Sequence, residues 1–107
     1  MLTTKQRAYL KSLASNLDAT FQLGKSNLTP EYTKAIEEAF NTAELIKISV
    51  LKNCTEDPKE VAQTIADRTR SEVVQVIGRK IVLFKQNKDE KKRKIELPRV
   101  KGAKKED

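Results

Sequence analysis

Apolar residues recur along the chain in two rhythms, and the rhythm changes wherever turn-forming residues stand. Leu10, Leu13, Ala14 and Leu17 recur at three- and four-residue intervals behind Thr3-x-x-Gln6, which has the form of a capping box. That spacing predicts a helix that buries one side. Thr20-Phe21-Gln22-Leu23 alternates between Asp18 and Gly24, as a short strand does. Gly24-Lys25-Ser26-Asn27 is turn chemistry. Thr29-Pro30-Glu31 starts a second helix, with an N-cap, a proline at the first helical position and an acid in the first turn. Tyr32, Ile36, Ala39, Phe40 and Ala43 line its apolar face. In Leu45–Leu51, Ile46, Ile48 and Val50 point one way while Lys47 and Ser49 point the other. Asp57-Pro58-Lys59-Glu60 starts a third helix, buried through Val61, Ala62, Ile65 and Ala66. Val73–Ile77 and Ile81–Phe84 are rich in β-branched residues and flank Gly78-Arg79, whose leading glycine suits a type II′ hairpin.

The order α-β-α-β-α-β-β predicts an α/β domain of the two-layer α+β kind. Its two strand-helix-strand units cross over right-handed, giving a small four-stranded mixed sheet with helices packed mainly on one face. With 107 residues the chain has room for one such domain. Apolar periodicity fades after Lys85, and the charge run Lys88–Lys94 follows, then Pro98 and Gly102. This reading divides the chain into a domain at residues 1–87 and a basic, flexible tail at 88–107. Ending the chain after Asn87 is then expected to leave stability unchanged.

Composition removes several chemistries. The chain has no histidine and one cysteine, so histidine-dependent catalysis, an internal disulfide and most zinc sites are unavailable. Glu37 and Glu38 are adjacent on a helix and do not face each other. Glu56 and Asp57 read as capping residues, and Cys54 as a filler or semi-exposed thiol. No acid–base pair, metal cluster, cofactor site or small-molecule substrate is expected, and the chain reads as a binding protein rather than an enzyme. No apolar run approaches the roughly 20 residues of a membrane-spanning helix, and Met1–Arg7 lacks a signal peptide's apolar core. A monomeric cytoplasmic protein is the expectation.

Charge adds a partner class. The net charge is +7; residues 1–84 carry +2 of it and residues 85–107 carry +5. An uneven basic balance points to a polyanion, nucleic acid first. The candidate contacts are Lys5, Arg7 and Lys11 on the first helix, Lys47 on the second strand, and the turn Gly24, Lys25, Ser26 and Asn27. Backbone N–H groups of such a turn can cup a phosphate, although an ordinary strand–helix turn has the same residues. Lys91, Lys92, Arg93 and Lys94 in the tail would add non-specific affinity. The alternative is an adaptor whose basic tail meets an acidic protein or a membrane surface. Tyr9, Phe21, Tyr32, Phe40 and Phe84 fit core packing, although Tyr9 lies toward the edge of its helix stripe, and they make no base-stacking ladder.

These segments together resemble the CRM domain, the YhbY-like family of RNA-binding proteins. The matching residues are Leu2–Arg7 with Leu10, Leu13 and Ala14, then Leu23–Thr29, Glu44–Ile48, Val74–Gly78, Ile81–Phe84 and Ile95–Pro98. The resemblance implies a fold related to the C-terminal domain of the third bacterial translation initiation factor. It implies RNA binding through a GxxG-type loop, as in KH domains, and, for stand-alone bacterial members, association with ribosomal RNA in precursors of the large subunit. The chain departs from the family pattern at Asn27, where the fourth loop residue is usually glycine, at Ser15 in place of a frequent histidine, and near Arg70, where a glycine is common.

Overall fold

The computed structural model describes residues 2–24, 28–89, 91, 93, 95 and 97. Among these residues the elements run α1 (Thr4–Ala14), β1 (Phe21–Leu23), α2 (Pro30–Ala39), β2 (Leu45–Val50), α3 (Pro58–Thr69), β3 (Glu72–Ile77) and β4 (Lys80–Phe84). Each helix begins where a short side chain satisfies a backbone N–H that the first turn leaves free. Thr3 and Gln6 form the reciprocal capping box, with both bonds at 3.1 Å. Thr29 Oγ1 accepts from the Tyr32 N–H at 3.1 Å, and Asp57 Oδ1 accepts from the Lys59 N–H at 3.0 Å.

The sheet order is β1-β2-β4-β3, with β1 and β2 parallel and the other pairs antiparallel. Ile36 of α2, Phe40 at its C-cap, and Val61 and Ile65 of α3 pack on Ile46, Ile48, Val50, Ile81 and Leu83, forming the larger core. On the opposite face Leu10 and Ala14 of α1 pack on Leu45, Val74, Val82 and Phe84. The helices therefore divide two to one across the sheet. Both faces of β4 are covered, which is why Ile81–Phe84 is a continuous buried run rather than an alternating one.

Two backbone irregularities shape the sheet and its borders. Val73 lies opposite Leu83 and Gln75 opposite Val82, so Val74 is the extra residue of a β-bulge. The Arg7 guanidinium donates to the Val73 and Val74 carbonyls there. β3 is an edge strand, and a bulge covered by a cation makes a poor template for pairing with another chain. At the hairpin, Gly78 has φ +55° and Arg79 does not share a positive φ, the pattern of a type II′ turn. Arg70 ends α3 in the left-handed region at φ 59°. Glycine occupies that position at little cost, whereas a Cβ is strained there. Arg70→Gly is expected to stabilise the domain by about 0.5–1 kcal/mol, read as a higher urea midpoint with an unchanged slope. A lower midpoint would show that the Arg70 side chain makes a compensating contact.

The chain stays on the domain past Asn87, where the sequence places the boundary. Ile95 and Leu97 pack against the α1-side core with Leu2, Leu13 and Leu17. Glu44, 3% exposed, accepts from the Asn87 N–H at 2.7 Å and from the Ile95 N–H at 2.9 Å. Its backbone carbonyl accepts from the Lys85 N–H at 2.9 Å. Arg93 Nε donates to the Asn87 carbonyl at 2.7 Å. Ile95 and Leu97, just beyond the basic run Lys88–Lys94, thus pack on the domain, so the boundary expected at Asn87 falls short of the packed residues, and ending the chain there is now expected to cost stability. Lys92, Lys94 and residues 98–107 lie outside the described residues.

Candidate nucleic-acid interface

The turn singled out in the sequence leaves the sheet at the end of β1. Leu23 is buried, its carbonyl accepts from the Leu51 N–H at 2.8 Å, and Gly24 beside it is buried as well. On the far side Leu28 packs on the larger core and Thr29 caps α2. Both ends of the turn are therefore anchored. Lys25, Ser26 and Asn27 lie outside the described residues.

The α1 cations separate. Arg7 and Lys11 are four residues apart and share one flank of the helix, with Arg7 half-buried over the β3 bulge and Lys11 exposed. Lys5 projects from the exposed outer side, so the helix does not bring it together with them. Lys47 sits on the α1 side of β2, half-buried, and its ammonium donates to the Leu17 carbonyl at 2.9 Å. The Thr20 N–H donates to the Lys47 carbonyl at 3.0 Å. Lys47 therefore brackets the link between α1 and β1. In the tail, Lys91 and Arg93 are exposed.

Three loops meet at the end of the sheet from which Gly24 emerges. The Arg79 carbonyl accepts from the Val50 N–H at 2.7 Å, and the Arg79 guanidinium donates to the Leu51 carbonyl at 3.0 Å. The loop after β2 and the β3–β4 hairpin are thereby tied together beside the β1 end. Lys52, Arg79 and Lys80 are exposed there. Sequence reasoning passed over them because Lys52 is far from Arg79 and Lys80 along the chain. The available signal was Lys80, a cation directly after the Gly78-Arg79 turn; its register with Ser49 on β2 is visible only in the structure.

Tyr32 of α2 lies edge-on to Phe21 of β1, with ring centroids 6.2 Å apart and planes at 79°. Its buried hydroxyl has no hydrogen-bond partner among the described residues. Burial pushes its pKa up from 10.0 to about 12. The folded state holds the proton more tightly than the unfolded chain, so this contribution to stability is complete below pH 10 and is lost between pH 10 and about 12. Tyr32→Phe is expected to remove that part of the alkaline loss, measured by urea unfolding at pH 8 and pH 11 beside the unsubstituted chain. An identical alkaline loss in both would show that other groups carry it.

Among the described residues no cluster of His, Cys, Asp or Glu could hold a metal ion, and no helix is long and apolar enough to cross a membrane. Cys54 is buried in the larger core.

A family model described as the CRS1 / YhbY (CRM) domain matches residues 2–85. The chain is 47% identical over 98 residues to a Bacillus subtilis protein named "Probable RNA-binding protein YqeI", spanning 92% of this chain and 100% of that one. It is 37% identical over 98 residues to a Haemophilus influenzae protein named "RNA-binding protein", spanning 92% and 96%. The solution structure of the hypothetical protein SAV1595 from Staphylococcus aureus superposes with a TM-score of 0.75 at 48% identity, over 92% of this chain and 100% of that one.

Proposed function

Because the chain belongs to the CRS1/YhbY (CRM) domain family, we propose that it binds RNA through the turn at Gly24 and the basic α1 flank beside the sheet. The relatives' names support RNA as the partner. The observation that carries the reading is the convergence of three loops, with exposed Lys52, Arg79 and Lys80, on the sheet end where Gly24 emerges. Phosphates would lie on Gly24, Lys25, Ser26 and Asn27 and on Lys11. Arg7 and Lys47 would add field from their seats at the sheet, and Lys5 and the tail cations Lys91, Lys92, Arg93 and Lys94 would extend it. The partner proposed is ribosomal RNA in a precursor of the large subunit, met by a cytoplasmic, monomeric protein that assists assembly without catalysis.

Phosphate contacts release counterions, so affinity for a ribosomal RNA fragment should fall steeply with salt. Lys11→Ala and Lys25→Ala are each expected to lower the log–log slope by about 0.7–0.9. An unchanged slope in both variants would remove them from the interface. Cosedimentation with large-subunit precursors, abolished by nuclease, tests the partner; an association that survives nuclease would favour a protein contact instead.

A further inference from the structure

Residues paired directly across strands share a face, so Gln22, Ser49, Lys80 and Ile77 form one row on the α1 side of the sheet. α1 covers Leu45, Val82 and Phe84 but leaves this row open. Gln22 and Lys80 are exposed, and Ile77 is 61% exposed. Lys80 Nζ donates to Ser49 Oγ at 3.0 Å, which ties the exposed ammonium to the surface of the sheet. The row carries no carboxylate, and neither do Lys47, Val82 and Gln75 in the row beside it. Glu56 and Asp57, at the same end, belong to the start of α3 on the opposite face, where Asp57 caps the helix. An open strip with fixed positive charge at one position and a bare aliphatic side chain at the next suits a ligand that alternates anionic and flat apolar groups.

We infer that this uncovered row is a seat for single-stranded RNA, with phosphates on Lys80 and Lys52 and an unstacked base against Ile77, continuous with the turn at Gly24. The inference rests on the RNA-binding reading and specifies the form of RNA. A duplex keeps its base faces stacked and presents phosphates and hydroxyls, so it would leave Ile77 in water. A single strand offers a base face to any apolar side chain beside its backbone.

The test uses the full chain and fluorescence anisotropy with an unstructured RNA oligonucleotide of about a dozen nucleotides and an RNA duplex of similar length. The Lys52→Ala/Lys80→Ala double variant is expected to lose about tenfold in single-strand affinity, with a slope lower by about 1.4. Ile77→Ser is expected to lose about threefold or more on the single strand, with an unchanged salt slope and no loss on the duplex. Ile77 is exposed, and an unchanged melting curve checks the fold of each variant; Ile77→Ala repeats the arm with a smaller change. Wild-type single-strand affinity in the double variant, or equal loss on both RNAs from Ile77→Ser, would overturn the inference. If Gly24→Asp abolishes binding while the row variants do not, the row falls and the turn stands. If the unsubstituted chain binds neither RNA, both readings fall.

Discussion

Glu44→Ala should lower the melting temperature by roughly 10 °C or more. The carboxylate is buried and accepts two backbone N–H groups from the segment after β4, at Asn87 and Ile95. Hydrogen bonds to a charged group contribute about 1.5–3 kcal/mol each, and a half-buried N–H left without a partner adds its own cost. A loss of about 3 kcal/mol or more follows, and each kcal/mol moves the midpoint of a domain this size by about 4–8 °C. Glu44→Gln keeps the shape but turns an amide donor toward one of the two N–H donors, so it should also destabilise the fold. The effect should not add to that of Ile95→Ala/Leu97→Ala, since those side chains hold the same segment on the α1-side core. A chain ended after Asn87 should melt early for the same reason, and Glu44→Ala should cost much less in it. Full additivity, or a shortened chain with an unshifted midpoint, would show that the segment does not stabilise the domain.

The second large effect is on binding. Gly24→Asp is expected to weaken RNA affinity tenfold or more. If the turn holds a backbone phosphate, a carboxylate there adds both repulsion and bulk, and glycine is the residue that lets a backbone approach closely. Gly24 is buried at the end of β1, so the substitution should also cost about 1–3 kcal/mol of stability, and its circular dichroism spectrum must be checked. Asn27→Gly is the complementary change; it should be tolerated and bind at least as tightly. Undiminished affinity in a folded Gly24→Asp chain would leave the α1 flank and the open sheet row as the binding surfaces.

The sequence by itself determined the elements, because their causes lie within a few residues of one another. The Thr3–Gln6 box, the Thr29-Pro30 and Asp57-Pro58 helix starts and the Gly78-Arg79 hairpin are local interactions, and each stands where the spacing placed it. Alternation in β2 correctly separated Ile46, Ile48 and Val50 from Lys47 and Ser49. It could not say which helix covers which face, since α1 and α2 each present an apolar side to a sheet. That α1 packs alone opposite α2 and α3 was decided by the tertiary structure, and with it the fate of the cations. Arg7 and Lys11 are neighbours by helical spacing, yet Arg7 turns to the carbonyls of a bulge 66 residues away, at Val73. Glu44 read as an ordinary residue before a strand; its N–H partners lie 43 and 51 residues further on. Ile95 and Leu97, two apolar residues among charges, were too short a pattern to signal burial. The turn at Gly24 was legible as a turn, but its neighbours Lys52, Arg79 and Lys80 came together only when β4 inserted between β2 and β3. Strand order and long-range burial depend on which apolar faces can be covered simultaneously, and no window of local sequence contains that information.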